Sequence, residues 1–207
     1  VFRKHFSNED IKNFEALTGK HEIRTEKYSC VGVDLRDTAQ IEQRLTECGI
    51  DFSKPTLLLA ECVLAYLKPT EAGALKAWAA VTFPCCALVT YDPYNSLDPF
   101  GSMMISNLQK RGSPFLGLLD TLQQHEISLL SSGWEAATAF NMLSAYQNFV
   151  DQKDASRLEK LEILDELEEW NLIQGHYCMT VAVKDASHSL TLDKLLPRTC
   201  LSPRGTK

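Results

Sequence analysis

Short apolar runs alternate with longer amphipathic stretches along this chain of 207 residues. The clearest run is Thr-Leu-Leu-Leu-Ala at residues 56–60, which has the length of a buried strand and stops at Glu61. Similar runs predict strands at residues 30–33, 87–90 and 176–183. Because predicted strands alternate with predicted helices, we expect an α/β domain with a largely parallel sheet.

Capping residues and prolines mark the predicted helices. Asp37, with Gln40 three positions later, forms one N-terminal cap, and Asp98 followed by Pro99 forms another. We predict helical segments at residues 8–17, 37–49, from 69 onward, 98–110, 119–130 and 140–150. A capping box at residues 156–159 predicts one further helix, which ends at Gly175 and buries Leu158, Leu161, Leu164 and Leu167. Residues 91–94 (Tyr-Asp-Pro-Tyr) have the composition of a turn.

The length of the chain fits one α/β domain, which we assign to residues 1–184. After Asp185, Ser, Thr, Pro and scattered basic residues replace the periodic pattern. We therefore expect residues 185–207 to be a poorly ordered tail.

Two acidic residues stand at the ends of predicted strands. Glu61 ends the run at residues 56–60, and Asp34 follows the predicted strand at residues 30–33. In open α/β sheets, ligands bind at the carboxyl ends of the strands, so the two acids predict a ligand site there. A carboxylate is costly to desolvate unless a cation or a hydrogen-bond donor meets it. From the residues alone, Asp34 could instead cap the following helix, and Glu61 could be a buried acid paired with Lys or Arg.

Charge and cysteine content limit the partners and the setting. The net charge of −6 argues against DNA or RNA bound through a large positive surface. The sequence contains no apolar stretch long enough to span a bilayer. The seven cysteines are an odd number and form no Cys-x-x-Cys pair, so they indicate neither a disulfide framework nor a metal site. This pattern favours a reducing, cytoplasmic setting.

Several short motifs occur in the order found in one known family. They lie at residues 33–37, 55–67, 98–105, 133–136, 161–166 and 175–178. Through them, residues 1–185 resemble the leucine carboxyl methyltransferase family, which methylates the C-terminal leucine carboxylate of protein phosphatase 2A. The resemblance implies a Rossmann-like class I methyltransferase fold with strand order 3-2-1-4-5-7-6, and S-adenosyl-L-methionine as cofactor. It also implies the phosphatase catalytic subunit as partner, and we expect a monomer that binds neither DNA nor a membrane.

The resemblance gives individual residues their expected roles. Asp34 would accept a hydrogen bond from the adenine amino group of the cofactor, and the backbone N–H of Leu35 would serve a ring nitrogen. Glu61 would face the α-ammonium group at the methionyl end. Tyr66 could reach a substrate carboxylate, although a half-buried core tyrosine fits the pattern equally well. We assign no catalytic residue, because a carboxylate with a reference pKa of roughly 3.5 is ionised at neutral pH and needs no general base.

Three features of the family would lie upstream of Val1. They are the glycine-rich turn of the first strand, the acid after the second strand and the basic residues of the N-terminal helices. We therefore expect an N-terminally truncated member that lacks the first strands, exposes sheet edges and alone binds the cofactor weakly or not at all. Two alternatives stay open. One is the related tRNA wybutosine-synthesising methyltransferase, and the other is a non-catalytic form that only binds the phosphatase.

Overall fold

The computed structural model describes residues 22–161, 165–185, 187 and 190–196. The predicted helix at residues 8–17 lies outside the described residues, as does most of the predicted tail. The chain divides into two compact units, Val1–Asp51 and Phe52–Lys207.

In the first unit, the described residues (22–51) form a short hairpin and one helix. Strands β1 (Ile23–Arg24) and β2 (Ser29–Cys30) pair antiparallel, and helix α1 spans Thr38–Glu47. The cap of α1 is confirmed, because the Asp37 side chain accepts a hydrogen bond from the Gln40 N–H at 3.0 Å. The strand predicted at residues 30–33 is wrong beyond Cys30. Strand β1 has only two residues, so β2 has no pairing partner beyond Cys30, and residues 31–34 continue without regular structure.

The second unit is built on a four-stranded sheet with the order β3-β4-β6-β5. Its strands are β3 (Thr56–Glu61), β4 (Cys85–Pro93), β5 (Ala136–Asn141) and β6 (Tyr177–Asp185). Strands β3 and β4 are parallel, and β6 runs antiparallel to both of its neighbours. The order matches the 4-5-7-6 half of the strand order that the resemblance implies. Within the described residues, β3 and β5 are therefore the edges of this sheet.

Two details of this sheet differ from the sequence prediction. Strand β5 was not predicted. The turn predicted at residues 91–94 is wrong, since β4 continues to Pro93. The reason is the same in both places, because pairing with β6 overrides the local composition. In β4 the pairing extends from Cys85 opposite Asp185 to Pro93 opposite Tyr177, and β5 pairs with the same strand over its whole length.

Most helices of the second unit agree with the prediction, but residues 140–141, predicted as helix, belong to β5, and the short helix at residues 192–195 was not predicted. The helices of this unit are α2 (Pro69–Thr82), α3 (Pro99–Lys110), α4 (Leu122–Leu130), α5 (Met142–Phe149), α6 (Gln152–Glu159), α7 (Leu167–Gly175) and α8 (Leu192–Leu195). The single helix predicted from residue 156 to Gly175 is wrong at its start, because Asp151 caps α6 and α7 is a separate helix. Of the leucines predicted as buried, Leu158, Leu161 and Leu167 are exposed, and Leu164 lies outside the described residues.

Strand β3 is covered on one face only. Leu57 and Leu59 are 68% and 70% exposed, so the prediction of a fully buried strand is wrong for this face. Leu59 lies opposite Val89 in the register, and Val89 packs against a core cluster of Phe140 and Val181 that α5 helps to cover. This cluster does not extend over β3.

A buried polar cluster lies on the other face of the sheet. Lys76 from α2, Asp92 from β4 and His125 from α4 are each less than a tenth exposed and line a cavity of about 30 Å³. Lys76 donates a hydrogen bond to the Ser128 hydroxyl. Burial raises the pKa of Asp92 to about 6, and burial lowers the pKa of His125 to about 4. Burial also lowers the pKa of Lys76.

Asp92→Asn is expected to make the stability of the protein more sensitive to acid. The pKa of Asp92 is raised in the folded state. As the pH falls, the folded state therefore binds a proton at Asp92 near pH 6, whereas the unfolded state binds this proton only near pH 3.8. Proton uptake by Asp92 between these two values stabilises the fold. The depressed pKa of His125 acts in the opposite direction, since the unfolded state is protonated first as the pH falls through 6.5. Without Asp92, nothing offsets the stability that is lost when the unfolded state takes up a proton at His125. The variant should lose about 2 kcal/mol of unfolding free energy relative to the unchanged chain between pH 6.5 and about 4.

Urea denaturation of both proteins at the two pH values measures this difference. Burial raises the pKa of the Cys62 and Cys178 thiols, which interact with Asp92, so these thiols do not titrate in this range. Asp165→Asn, which changes an exposed acid, is the matched control. An Asp92→Asn variant with the same acid dependence as Asp165→Asn would contradict the assignment.

Candidate functional site

The chain turns sharply where β3 ends. Glu61 is the last residue of β3, has an exposed side chain and lies opposite Tyr91 of β4. The next residue, Cys62, has a positive φ of 51°, a conformation that is uncommon for residues other than glycine. The Cys62 N–H donates to the Tyr91 carbonyl at 2.7 Å, which holds the chain in this conformation. Local strain of this kind is concentrated at functional sites.

Aromatic side chains surround this turn. Tyr66 belongs to a short 3-10 helix, Leu64–Tyr66, and its ring packs on Phe115 with the centroids 5.1 Å apart. Tyr91 and Tyr177 stack with their centroids at 5.1 Å and their planes only 9° apart. Tyr91 interacts electrostatically with Glu61, and Tyr177 with Tyr66. Glu61 and Tyr66 therefore both lie near the Tyr91–Tyr177 pair. We call these four residues, together with Phe115, the aromatic rim.

The hydroxyls of Tyr91 and Tyr177 stay neutral at neutral pH. Burial, followed by the proximity of Tyr177, raises the pKa of Tyr91 to about 12. Burial likewise raises the pKa of Tyr177. Both groups can donate hydrogen bonds, but neither is suited to act as a base at neutral pH.

The turn is held from its outer side by the loop after α3. The Ala65 carbonyl accepts hydrogen bonds from the Leu116 and Gly117 N–H groups at 2.9 and 3.0 Å. A Cβ atom at Gly117 would lie 2.3 Å from the Leu67 carbonyl oxygen, so only glycine allows this approach. The position of Tyr66 is thereby fixed by backbone contacts on both sides of it.

The start of β6 is anchored beside the rim by His176. Its Nδ1 lies 2.6 Å from the Leu172 carbonyl, and its Nε2 lies 2.8 Å from Asp98 Oδ2. His176 therefore contacts a backbone carbonyl with one ring nitrogen and a carboxylate with the other. This contact joins the end of α7 and the start of α3 to the strand that carries Tyr177.

Asp34 and Leu35 lie in the first unit, between β2 and α1. The Asp34 carboxylate is paired with Arg36, with Arg36 Nη2 at 2.6 Å and Nε at 2.9 Å. Hydrogen bonding from Arg36 lowers the pKa of Asp34 to about 2. Both side chains are exposed, at 46% and 61%. The cap of α1 is Asp37, so Asp34 has no capping role in this structure.

The rim contains residues that the sequence did not single out. Tyr91 was predicted in a turn, and Tyr177 and Phe115 had no local signal, because their meeting depends on strand pairing and on the loop after α3. The strand predicted at residues 87–90 would have included Tyr91 if its alternating pattern had been followed further along the chain. The described residues contain no group of three or more His, Cys, Asp or Glu side chains able to hold a metal ion. None of the helices in the described part of the chain is long and apolar enough to cross a membrane.

Chemically, the rim is suited to a small cationic group. An exposed carboxylate pairs with an ammonium through charge-assisted hydrogen bonds, and aromatic faces attract cations. Neutral tyrosine hydroxyls beside it can donate to an anionic group at the same time.

Comparison with known sequences identifies relatives over most of the chain. Residues 9–80 match the family model named leucine carboxyl methyltransferase. The chain is 39% identical to a leucine carboxyl methyltransferase 1 homolog of Arabidopsis thaliana, over 80% of this chain and 50% of that protein. It is 38% identical to leucine carboxyl methyltransferase 1 of Bos taurus, over 81% of this chain and 51% of that protein. It thus spans about half the length of these relatives.

A second group of relatives carries a different name. The chain is 36% identical to the human tRNA wybutosine-synthesizing protein 4, over 86% of this chain and 27% of that protein.

Solved structures agree on the fold. A protein from Thermobifida fusca, assigned as a methyltransferase, matches with a TM-score of 0.55 and 15% identity, covering 85% of this chain and 59% of that one. A DUF574 family protein from Streptomyces avermitilis matches with a TM-score of 0.51 and 16% identity, covering 74% and 54%. The mixed sheet is thus that of the Rossmann-like class I methyltransferase fold. With this fold, the motifs and the identities above, the chain belongs to the leucine carboxyl methyltransferase family.

Proposed function

We propose that this chain is part of an S-adenosylmethionine-dependent methyltransferase that acts on the α-carboxylate of a C-terminal leucine. Its substrate would be the catalytic subunit of protein phosphatase 2A. The observation that carries the proposal is the exposed Glu61 carboxylate within an aromatic rim, at the strand end where ligands bind in this class of fold.

The rim residues fit the methionyl end of the cofactor. Glu61 is exposed and would pair with the α-ammonium group. In the first unit, Asp34 would accept a hydrogen bond from the adenine amino group, and the Leu35 N–H would serve a ring nitrogen. This requires Asp34 to release Arg36, which costs little because water competes for both partners of an exposed ion pair.

The reaction needs orientation more than proton transfer. When bound, the cofactor supplies a methyl group activated on a sulfonium. The substrate carboxylate is already ionised at neutral pH, so the chain needs no general base. The Tyr66 hydroxyl would donate to one carboxylate oxygen and orient it, while Phe115 holds the Tyr66 ring. The stacked Tyr91 and Tyr177 would exclude water from the same edge.

Two alternatives remain. The identity to the wybutosine-synthesizing protein favours a tRNA substrate. The other alternative is a form that binds the phosphatase without methylating it. Methylation assays with phosphatase and with tRNA separate the two enzymes. Phosphatase binding without methylation would favour the non-catalytic form.

Glu61→Gln is expected to weaken S-adenosylmethionine binding about ten- to a hundredfold, because it replaces a charged hydrogen-bond partner with a neutral one. Calorimetry should be performed on the chain alone and on the chain fused to the half of the Bos taurus relative that it does not span. We expect weak or no binding to the chain alone, and measurable binding to the fusion. Glu168→Gln, on an exposed position of α7, is the control. Equal affinities of the Glu61→Gln and Glu168→Gln fusions for S-adenosylmethionine would contradict the role of Glu61. Tight binding of S-adenosylmethionine by the chain alone would contradict the expectation that the chain alone binds it weakly or not at all.

Tyr66→Phe is expected to lower kcat/KM for methylation of a leucine-ended substrate about tenfold, because one hydrogen bond to the carboxylate is lost. The fusion should be assayed with the phosphatase catalytic subunit and, separately, with tRNA. Tyr146→Phe is a matched control, since Tyr146 packs on Trp170 and not on the rim. A folded fusion that methylates tRNA and not the phosphatase would overturn the proposed substrate. Equal rates for the two tyrosine variants would overturn the role of Tyr66.

A further inference from the structure

The loop after α3, residues 111–121, is tied to two neighbouring strand ends. It joins α3 to α4 and contains neither helix nor strand. At residues 116–117 it donates two hydrogen bonds to the Ala65 carbonyl, in the turn that follows β3. At Asp120 it accepts hydrogen bonds from Asn95 and Ser96, which lie just beyond the end of β4. The loop therefore spans the carboxyl ends of β3 and β4, where ligands bind in open α/β sheets.

Asp120 contacts the end of β4 through both its backbone and its side chain. Its carbonyl accepts a hydrogen bond from the Asn95 N–H at 3.1 Å. Its carboxylate atom Oδ1 accepts from the Ser96 N–H at 3.2 Å and also from the Ser96 hydroxyl. Ser96 is only 8% exposed, so water competes little for these bonds. The N–H of Asp120 donates to Gln124 Oε1 at 2.8 Å, which fixes Asp120 to the start of α4.

The segment just beyond β4 is itself firmly placed. Asn95 has a positive φ of 59°, a left-handed conformation that asparagine tolerates better than most residues. The Tyr94 N–H donates to the His176 carbonyl at 2.9 Å, so the segment is also tied to β6. A Cβ atom at Gly101 would lie 2.4 Å from the Asn95 carbonyl oxygen, so the first turn of α3 approaches the segment closely.

Two motifs of the sequence meet behind this segment, one starting at Asp98 and the other at Gly175. The Nε2 atom of His176 lies 2.8 Å from Asp98 Oδ2, and its ring packs on Phe100 with the centroids 4.5 Å apart. The Asn95 side-chain amide donates to Asp98 Oδ2 at 3.3 Å. Both motifs therefore hold the segment that follows β4, which makes it a fixed point for the loop after α3.

The aromatic contact of Tyr66 depends on the same loop. Phe115 belongs to it, and the Phe115 ring packs on Tyr66 with the centroids 5.1 Å apart. An irregular surface loop is mobile unless hydrogen bonds or packing hold it. The bonds to Ala65 join the loop to the turn of Tyr66, and the bonds of Asp120 join it to the end of β4. Without Asp120, the loop and the turn would lose their connection to the segment that the two motifs hold.

We propose that Asp120 is a positioning residue, which fixes the loop after α3 against the end of β4 so that Phe115 holds the Tyr66 ring in one orientation. In this role Asp120 touches neither substrate nor cofactor and acts only through the loop. The catalytic consequence rests on the proposed function, because the orientation of Tyr66 affects the rate only if its hydroxyl orients the substrate carboxylate.

Amide hydrogen exchange of the full chain tests the positioning role without any need for activity. In Asp120→Ala, which removes the carboxylate, exchange at the amides of Ser96, Leu116 and Gly117 should accelerate about tenfold or more. The Ser96 amide loses its acceptor directly, whereas the Leu116 and Gly117 amides can respond only through the loop. Asp120→Asn keeps an acceptor oxygen and should retain most of the protection.

Asp151→Ala is the matched control. The Asp151 carboxylate also accepts from backbone N–H groups, those of Lys153 at 2.8 Å and Asp154 at 3.3 Å, but it caps α6. The two variants should be compared at equal global stability. If exchange at residues 116–117 is no faster in Asp120→Ala than in Asp151→Ala, the proposal is overturned.

A second variant covers the case in which Asp120→Ala does not fold. Ser96→Ala removes the hydroxyl donor and leaves the backbone N–H at this position. Exchange at residues 116–117 should therefore accelerate by a smaller factor, about threefold. Unchanged exchange there would overturn the positioning role in that case.

Kinetics of the fusion separate positioning from a general loss of structure. Asp120→Ala should lower kcat for the leucine-ended substrate about tenfold and leave the affinity for S-adenosylmethionine unchanged, because Glu61 is held by β3. Introduced into Tyr66→Phe, the same change should lower kcat less than about twofold, because the hydroxyl that it positions is already absent.

Two results of these assays would contradict positioning through Tyr66. One is a pair of losses in kcat that multiply fully in the double variant, and the other is an equal loss of cofactor affinity in Asp120→Ala. If the unchanged fusion methylates no substrate, the proposed function fails, whereas exchange at residues 116–117 still decides the role of Asp120.

Discussion

The parallel register of β3 with β4 decides where the candidate residues of the second unit lie. It places Glu61 opposite Tyr91 and lets the Tyr91 carbonyl hold the Cys62 N–H, so the chain must turn away from the sheet at this point. Tyr66 follows within one helical turn and meets Phe115. A shift of one residue in this pairing would move every side chain of β3 to the opposite face and would separate Glu61 from the aromatic rim.

The end of β4 serves two different purposes because its side chains alternate. Tyr91 stacks on Tyr177 at the exposed rim, whereas Asp92 lies in the buried cluster with Lys76 and His125. The rim offers a charged and aromatic surface to a ligand, whereas the cluster lines a small cavity together with Leu64 and Ala65. Burial raises the pKa of Asp92 and lowers the pKa of His125, and these shifts have opposite effects on acid stability.

Local signals in the sequence predicted the features that are local in origin. The caps at Asp37 and Asp98 and the end of β3 at Glu61 each depend on residues within one turn or strand. Strand β5 was missed because Ala-Ala-Thr-Ala has little β-propensity of its own and becomes a strand only through pairing with β6. The extension of β4 to Pro93 was missed for the same reason, since the pairing with β6 overrides an Asp-Pro sequence that favours a turn.

The candidate site was predictable in part. Glu61 and Asp34 stand out as acids that follow short apolar runs, and the resemblance to a family adds Leu35 and Tyr66. Phe115 and Tyr177 reach the rim from distant parts of the chain, and Lys76 and His125 reach Asp92 from two separate helices. No spacing pattern in one sequence encodes such meetings, because they arise from the packing of helices on the sheet.

A crystal structure of the fusion protein with S-adenosylhomocysteine tests the central claim most directly. This product has the same amino-acid and adenine ends as the cofactor. The account predicts its ammonium group within hydrogen-bond distance of Glu61, and its adenine amino group bonded to an Asp34 that has released Arg36. An ammonium group held by another acid, or an Asp34 still paired with Arg36 in the complex, would contradict the account.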